Sequence, residues 1–142
     1  MIKTMKISRS SSPENFSTTK IRKNIELFED YVEAINEINF NKGFVKNVDL
    51  CKYFGVSNAT VCKNIKRLIK EELVESEKYR SIFLTKAGKI LAEKSNTRHE
   101  VLYKFLTKLG VPNRIAEIDS EGMEHHISTE TLNIMKKFNN SN

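Results

Sequence analysis

Three apolar stripes at helical spacing, a glycine-containing turn between the second and third, and two short β-prone runs just beyond them set the fold class. They predict a mainly α chain in which a winged helix-turn-helix unit is followed by an all-helical region. Residues 1–24 lack apolar periodicity and are rich in hydroxyl side chains (Ser8, Ser10, Ser11, Ser12, Ser17, Thr18, Thr19), so a flexible tail is expected there. From Ile25 the stripe Ile25, Phe28, Val32, Ile35 and Ile38 describes a first helix, and Gly43 ends it. A second, over residues 47–54, turns Val48, Leu50 and Phe54 inward. Gly55-Val56-Ser57 then supplies a residue free to take positive φ, an apolar anchor and a serine N-cap. The third helix, residues 58–71, puts Val61, Ile65, Leu68 and Ile69 inward.

Residues 73–76 and 82–84 read as strands around Glu77-Lys78-Tyr79-Arg80-Ser81, a hairpin with a basic, aromatic tip. Thr85 caps a long helix over residues 86–109. Its apolar positions Ile90, Leu91, Val101, Leu102, Phe105, Leu106 and Leu109 exceed what one small core can hold, so its second half is expected to pack on another subunit as well. Gly110 and Pro112 stop it, and helices over 113–125 and 128–138 complete the chain. The expected units are a tail (1–24), a winged helix-turn-helix domain (25–97) and an all-helical domain (98–142).

With 142 residues and 39% hydrophobic content, the chain can build one compact core. No run approaches the roughly 18 apolar residues of a membrane span. Cys51 and Cys62, eleven positions apart in predicted helices, read as small buried residues of a reducing, cytoplasmic compartment. The net charge of +6 is unevenly placed: residues 1–97 hold 18 Lys+Arg against 12 Asp+Glu, whereas residues 98–142 hold 6 against 6. The first two-thirds therefore carry the whole excess and point to a polyanion. The third helix has Lys63, Lys66, Arg67 and Lys70 and no acid before Glu71. Its amino-terminal end, with polar Ser57, Asn58 and Thr60, is the one that enters the major groove in helix-turn-helix proteins, which makes Asn58, Thr60 and Lys63 the candidates for base edges. Lys66, Arg67 and Lys70, with Lys78 and Arg80 of the wing, are the candidates for phosphates. Double-stranded DNA is the partner this surface implies.

Glu121, Glu124 and His125 stand at i, i+3 and i+4, so two carboxylates and an imidazole share one helical face, a donor set suited to a divalent ion. Asp30 and Glu33 form an i, i+3 carboxylate pair on the first helix, and His99 sits in the long helix beside Arg98. An Asp-x-x-Glu pair is more often a solvated face, and a lone helical histidine a core or boundary residue.

Residues from about 29 to 138 resemble the diphtheria-toxin-repressor family of metal-dependent transcription regulators, in particular its manganese transport regulator branch. The resemblance rests on Glu29-Asp30-Tyr31-Val32-Glu33, Gly55-Val56-Ser57, Phe83-Leu84-Thr85-Lys86-Ala87-Gly88, Arg98-His99-Glu100 and the run from Glu121 to Ser128. It implies a homodimer that binds a palindromic operator when its metal site is filled, with Asp30, Glu33, His99, Glu121, Glu124 and His125 at the ligand positions. Carboxylates at positions 30 and 121 favour Mn²⁺, while the two imidazoles leave Fe²⁺, Zn²⁺ and Co²⁺ open. Four carboxylates in one pocket carry −4, which two divalent ions balance, so a binuclear site bridged by a glutamate is expected. The family commonly has a proline where Ala59 stands and a glycine where Glu72 stands; a left-handed ending without glycine costs about 1 kcal/mol or more, so the third helix is expected to end differently here. Gly122, unfavourable in a helix interior, suggests a close approach by a neighbouring helix. A metallohydrolase is the alternative of another class, but the chain lacks His-Glu-x-x-His and a spare base, and neither a small-molecule substrate nor a membrane is expected. A metal-blind winged-helix regulator, its acidic cluster merely structural, is the remaining alternative.

Overall fold

The computed structural model describes residues 13–77 and 81–142. Six helices and one hairpin follow in the order α1 (Pro13–Lys42), α2 (Asn47–Phe54), α3 (Asn58–Lys70), β1 (Val74–Ser76), β2 (Ile82–Leu84), α4 (Lys86–Lys108), α5 (Asn113–Met123) and α6 (Thr129–Asn139). The strands pair antiparallel with Val74 opposite Leu84 and Ser76 opposite Ile82. No helix among the described residues is long and apolar enough to cross a membrane.

The amino-terminal core is built from the stripes of α1, α2 and α3: Val32, Ile35, Leu50, Val61, Ile65 and Leu68 are buried, and Val74 and Ile82 of the hairpin close it. Tyr31 ties the three helices together. Its ring stacks on Phe54 at 4.5 Å, and its hydroxyl accepts from Asn64 Nδ2 at 3.1 Å, so the polar tip of a buried aromatic finds its partner. Two residues expected inside, Val48 and Ile69, are 51% and 42% exposed. Ile69 stands at the far end of α3, past the reach of α1, where it faces the cleft beside β1. Ile25 is likewise half out, because α1 there has already run beyond the bundle.

α1 is the main departure. The tail expected over residues 1–24 is helical from Pro13, a residue whose fixed φ suits a first turn. Residues 1–12 lie outside the described residues.

The turn chemistry follows the sequence closely. Gly55 takes φ 64° after α2, and the Ser57 hydroxyl accepts from Thr60 N at 3.2 Å to cap α3. Thr85 caps α4 in the same way, accepting from Gly88 N at 3.0 Å. A Cβ on Gly88 would lie 2.1 Å from the Leu73 carbonyl oxygen, which is why the long helix can start directly against the hairpin. Gly122 has no such reason: a Cβ there meets nothing within 4 Å, so the close approach expected at that glycine does not occur.

The ending of α3 also corrects the expectation. Glu72 adopts the left-handed conformation itself, at φ 58°, and Leu73 N still donates back to Leu68 O at 3.0 Å. The ending survives without its glycine because the Glu72 carbonyl accepts from the Thr85 hydroxyl at 2.6 Å, clamping the turn to the start of α4. Glu72→Gly should therefore stabilise the protein by about 1 kcal/mol, read as a rise in melting temperature with DNA binding unchanged.

In the carboxy-terminal region α4 packs on α5 and α6 through Val101, Leu102, Leu106 and Ala116, with Phe105 edge-on to Phe138 at 5.3 Å. Outside this core Leu109, Ile115, Ile118 and Ile134 stay exposed. Of the long-helix stripe only Ile90, in its first half, and Leu109, at its end, are exposed, whereas Val101, Leu102 and Leu106 are buried within this chain, so most of the apolar surface left uncovered belongs to α5 and α6 rather than to the second half of α4.

Candidate metal centre and nucleic-acid interface

α1 runs past the amino-terminal core and along α4, so its acidic face meets α5. Asp30, Glu33, His99, Glu121, Glu124 and His125, predicted from three separate segments, come together there. His125 is the hinge of one half: its Nδ1 lies 2.6 Å from Glu29 Oε2, its Nε2 2.9 Å from Asp30 Oδ1 and 3.4 Å from Glu124 Oε1. His99 is the hinge of the other, with Nδ1 3.0 Å from Glu124 Oε2 and Nε2 3.1 Å from Glu117 Oε1. Glu124 lies between them, 1% exposed, with one oxygen toward each imidazole. Glu33 reaches the same place from α1, hydrogen-bonding Glu124 and accepting from the hydroxyl of buried Ser95.

Two donor clusters result, each with three ligand-type atoms within 4.8 Å of one another: Glu26, Asp30 and His125 on one side, and His99, Glu117 and Glu121 on the other. The second lines a cleft of about 290 Å³ together with Glu33. Glu26 and Glu117 were not among the sequence candidates, although spacing signalled both. Glu26 stands four residues before Asp30, and Glu117 four before Glu121, each on the face already identified. Arg98 is another omission. It donates through Nε to the Glu124 carbonyl at 2.8 Å and through Nη2 to the Ile127 carbonyl, which fixes the end of α5 against α4.

The electrostatics are those of a site short of positive charge. Burial, and then the neighbouring Glu33 carboxylate, push Glu124 up to about 9. Burial and the surrounding carboxylates also raise Glu121. Burial alone would lower His125, but its hydrogen bonds to Asp30 and Glu29 outweigh that and lift it to about 10. Glu124 Oε1 is buried and, among the described residues, has no hydrogen-bond partner. An orphaned carboxylate oxygen amid two imidazoles and several more carboxylates suits a divalent cation, and the oxygen-rich set suits a hard one.

The candidate nucleic-acid contacts at the start of α3 and along it, Ser57, Asn58, Thr60, Lys63, Lys66 and Lys70, are all exposed. Ser57 and Thr60 also hydrogen-bond each other, Oγ to Oγ1 at 3.0 Å, so both belong to the cap as well as to the surface. Arg67 differs from the rest. It turns back onto α1, donating to Asn24 Oδ1 at 2.6 Å and lying 5.5 Å from the Phe28 ring centre. Lys78 and Arg80 lie outside the described residues. Lys46, not singled out from the sequence, shares a groove with Asn58 at the start of α3.

A winged helix-turn-helix joined through α1 and α4 to a carboxylate–imidazole centre defines a transcription regulator of the metal-responsive class. Comparison with known proteins agrees. Residues 25–82 match the iron dependent repressor N-terminal DNA-binding domain, and residues 85–141 match the iron dependent repressor metal-binding and dimerisation domain. This chain belongs to the iron-dependent repressor family, and it is a regulator rather than an enzyme. It is 42% identical over 125 residues to the transcriptional regulator MntR of Escherichia coli, a match spanning 88% of this chain and 81% of that protein. The MntR of Salmonella typhimurium is 40% identical over the same length. Among solved structures, the manganese regulator SloR superposes with a TM-score of 0.70 at 28% identity over 80% of this chain. ScaR with bound Zn²⁺ does so at 0.69 and 26% over 78%. The chain spans about half the length of these solved relatives, 53% and 52%. The two matched domains meet at residues 82–85, where α4 begins, and α4 then runs unbroken through residues 97 and 98.

Proposed function

We propose that this chain is a manganese-responsive repressor of metal-uptake genes, acting in the cytoplasm as a homodimer on palindromic operator DNA when its metal site is filled. The observation that carries this reading is the position of Glu124. It is a buried carboxylate with an unpartnered oxygen, set between an imidazole from α4 and one just past α5 and touched by Glu33 from α1. The helix that bears Asp30 and Glu33 also forms the floor of the DNA-binding domain, so the site joins the reading head to the dimerisation region. The exposed apolar side chains of α4, α5 and α6 are the surface such a dimer would cover.

Two ions per protomer fit the donors best. Asp30, Glu26 and His125 form one set, His99, Glu117 and Glu121 the other, and Glu124 with Glu33 lies between. Bound divalent cations supply the positive charge this pocket lacks. Asp30 and Glu33 hold α1 to the site, Arg98 holds the end of α5 by its carbonyls, and His99 and His125 close the two sides. The angle between α1 and the dimerisation helices, and so the spacing of the two α3 helices, is then set by side chains that otherwise repel.

Operator-binding anisotropy with Mn²⁺, Fe²⁺, Zn²⁺, Co²⁺ or chelator tests this. Tight binding in Mn²⁺ and loss of at least about 10-fold on chelation, a coupling of about 1.4 kcal/mol, is the expected result. Equal affinity in metal and chelator would sink the sensor reading. Tighter binding in Fe²⁺ or Zn²⁺ at matched free concentrations would reassign the metal.

A further inference from the structure

The first helix extends well beyond what the core requires, and its extension is basic. Between residues 15 and 25 it has Lys20, Arg22 and Lys23 and no acid. All three are exposed and, among the described residues, none has an ion-pair partner. These positions precede the matched DNA-binding domain, which starts at residue 25. The core does not explain them either, since Ile21 and Ile25 on the same stretch are 59% and 45% exposed.

What places this extension is Arg67. On α3, Lys63, Arg67 and Lys70 stand at i, i+4 and i+7 and share a ridge. On α1, Lys20, Asn24 and Phe28 form the matching ridge at i, i+4 and i+8. The two ridges meet where the Arg67 guanidinium donates to Asn24 and lies beside Phe28. Arg67 thus spends its charge inside the protein, and Lys20 is one helical turn from the contact. Lys20 thereby continues the basic ridge of α3 onto α1, and Arg22 and Lys23 add their charge to the same turn of α1. A free lysine ridge beside a recognition helix fits a polyanion that continues past the half-site.

We propose that residues 20–23 of α1 are a second DNA-contacting element, in which Lys20, Arg22 and Lys23 meet backbone phosphates flanking each half-site and Arg67 positions the helix for them. This rests on the DNA-binding reading above and adds a site to it. Phosphate contacts raise affinity without regard to sequence and steepen its dependence on salt, by about 0.9 in the log–log slope for each phosphate neutralised.

The test is the salt dependence of Kd in Mn²⁺, on a fluorescein-labelled duplex carrying the palindrome that the wild-type protein selects from random-sequence DNA. A triple variant, Lys20→Ala, Arg22→Ala and Lys23→Ala, should bind more weakly and show a slope shallower by about 0.9 for each phosphate it no longer neutralises. Lys20→Arg with Lys23→Arg should keep the wild-type slope, because the charge is retained. Mn²⁺ binding followed by electron paramagnetic resonance and helix content by circular dichroism should match wild type in both. An unchanged slope overturns the proposal, whether affinity holds, leaving the extension idle, or falls, making it purely structural. Failure of the wild-type protein to select any DNA in Mn²⁺ would instead overturn the DNA-binding reading on which the proposal stands.

Discussion

Glu124→Gln is expected to abolish metal-dependent DNA binding while leaving the metal-free protein folded and as stable as before. The two halves of this result have opposite origins. Without metal, Glu124 is buried and its carboxyl is held at about 9, so at neutral pH it already carries a proton. A glutamine of the same volume is neutral in the same place, and stability should change by no more than about 1 kcal/mol. With metal, the side chain lies between the two donor sets, one oxygen toward His99 and the other toward His125. Losing its charge should lower Mn²⁺ affinity by at least about 100-fold, the upper end of what loss of a mere supporting partner costs. Operator affinity in Mn²⁺ should then equal that of wild type in chelator. Glu117→Gln is the internal contrast, because its side chain is 57% exposed and serves one set only, so its effect should be several-fold smaller. If Glu124→Gln retained manganese-dependent binding, the site would have to be built without its central residue.

How far the chain could be read before folding depends on which interactions decide each feature. The second and third helices, the hairpin and the long helix are fixed by periodicity and caps, so their bounds fall within a residue or two of expectation, as at Ser57 and Thr85. That the six candidate residues come together was legible because Glu121, Glu124 and His125 share a face locally and because Asp30, Glu33 and His99 match a known pattern. What escaped was set by neighbours in space. Glu26 and Glu117 were not singled out, because it is the placement of α1 and α5 on either side of His125 and His99 that brings them to the site. Arg67 looked like its lysine neighbours, and only the course of α1 past Asn24 gives it a different partner. Glu72 was expected to change the ending of α3, whereas a hydrogen bond from Thr85, thirteen residues away, holds the strained turn. The serine-rich stretch showed no apolar period, yet α1 begins at Pro13, since a helix nucleated further along propagates at low cost per residue.

Protons should compete with manganese for this site, and the competition should be steep. Both ring nitrogens of His125 face carboxylates, Glu29 at 2.6 Å and Asp30 at 2.9 Å, so the metal-free ring donates twice and is an imidazolium. The hydrogen bond between Glu33 and Glu124 needs a proton of its own. Its carboxylate partners hold His125 at about 10 against the effect of burial, and burial with the Glu33 carboxylate holds Glu124 at about 9, so both protons are present at pH 7. Metal binding must release them. Near neutrality about two protons should leave each protomer on saturation, so the overall constant for binding two ions should rise on the order of 100-fold per pH unit, about 10-fold per ion. Calorimetry in buffers of different ionisation enthalpy reads the proton count directly. The metal-free fold should show the opposite trend. Both groups have folded values raised above their unfolded ones, 4.5 for Glu124 and 6.5 for His125, so each binds protons more tightly in the folded state. Their contribution to stability is complete below the unfolded value and is lost as pH rises through the folded one. The melting temperature of metal-free protein should therefore fall from about pH 5 to about pH 10, and saturating Mn²⁺ should flatten or reverse that slope. Mn²⁺ binding without proton release would mean that His125 and Glu124 meet the metal already deprotonated, and the carboxylate partners of His125 would then need another explanation.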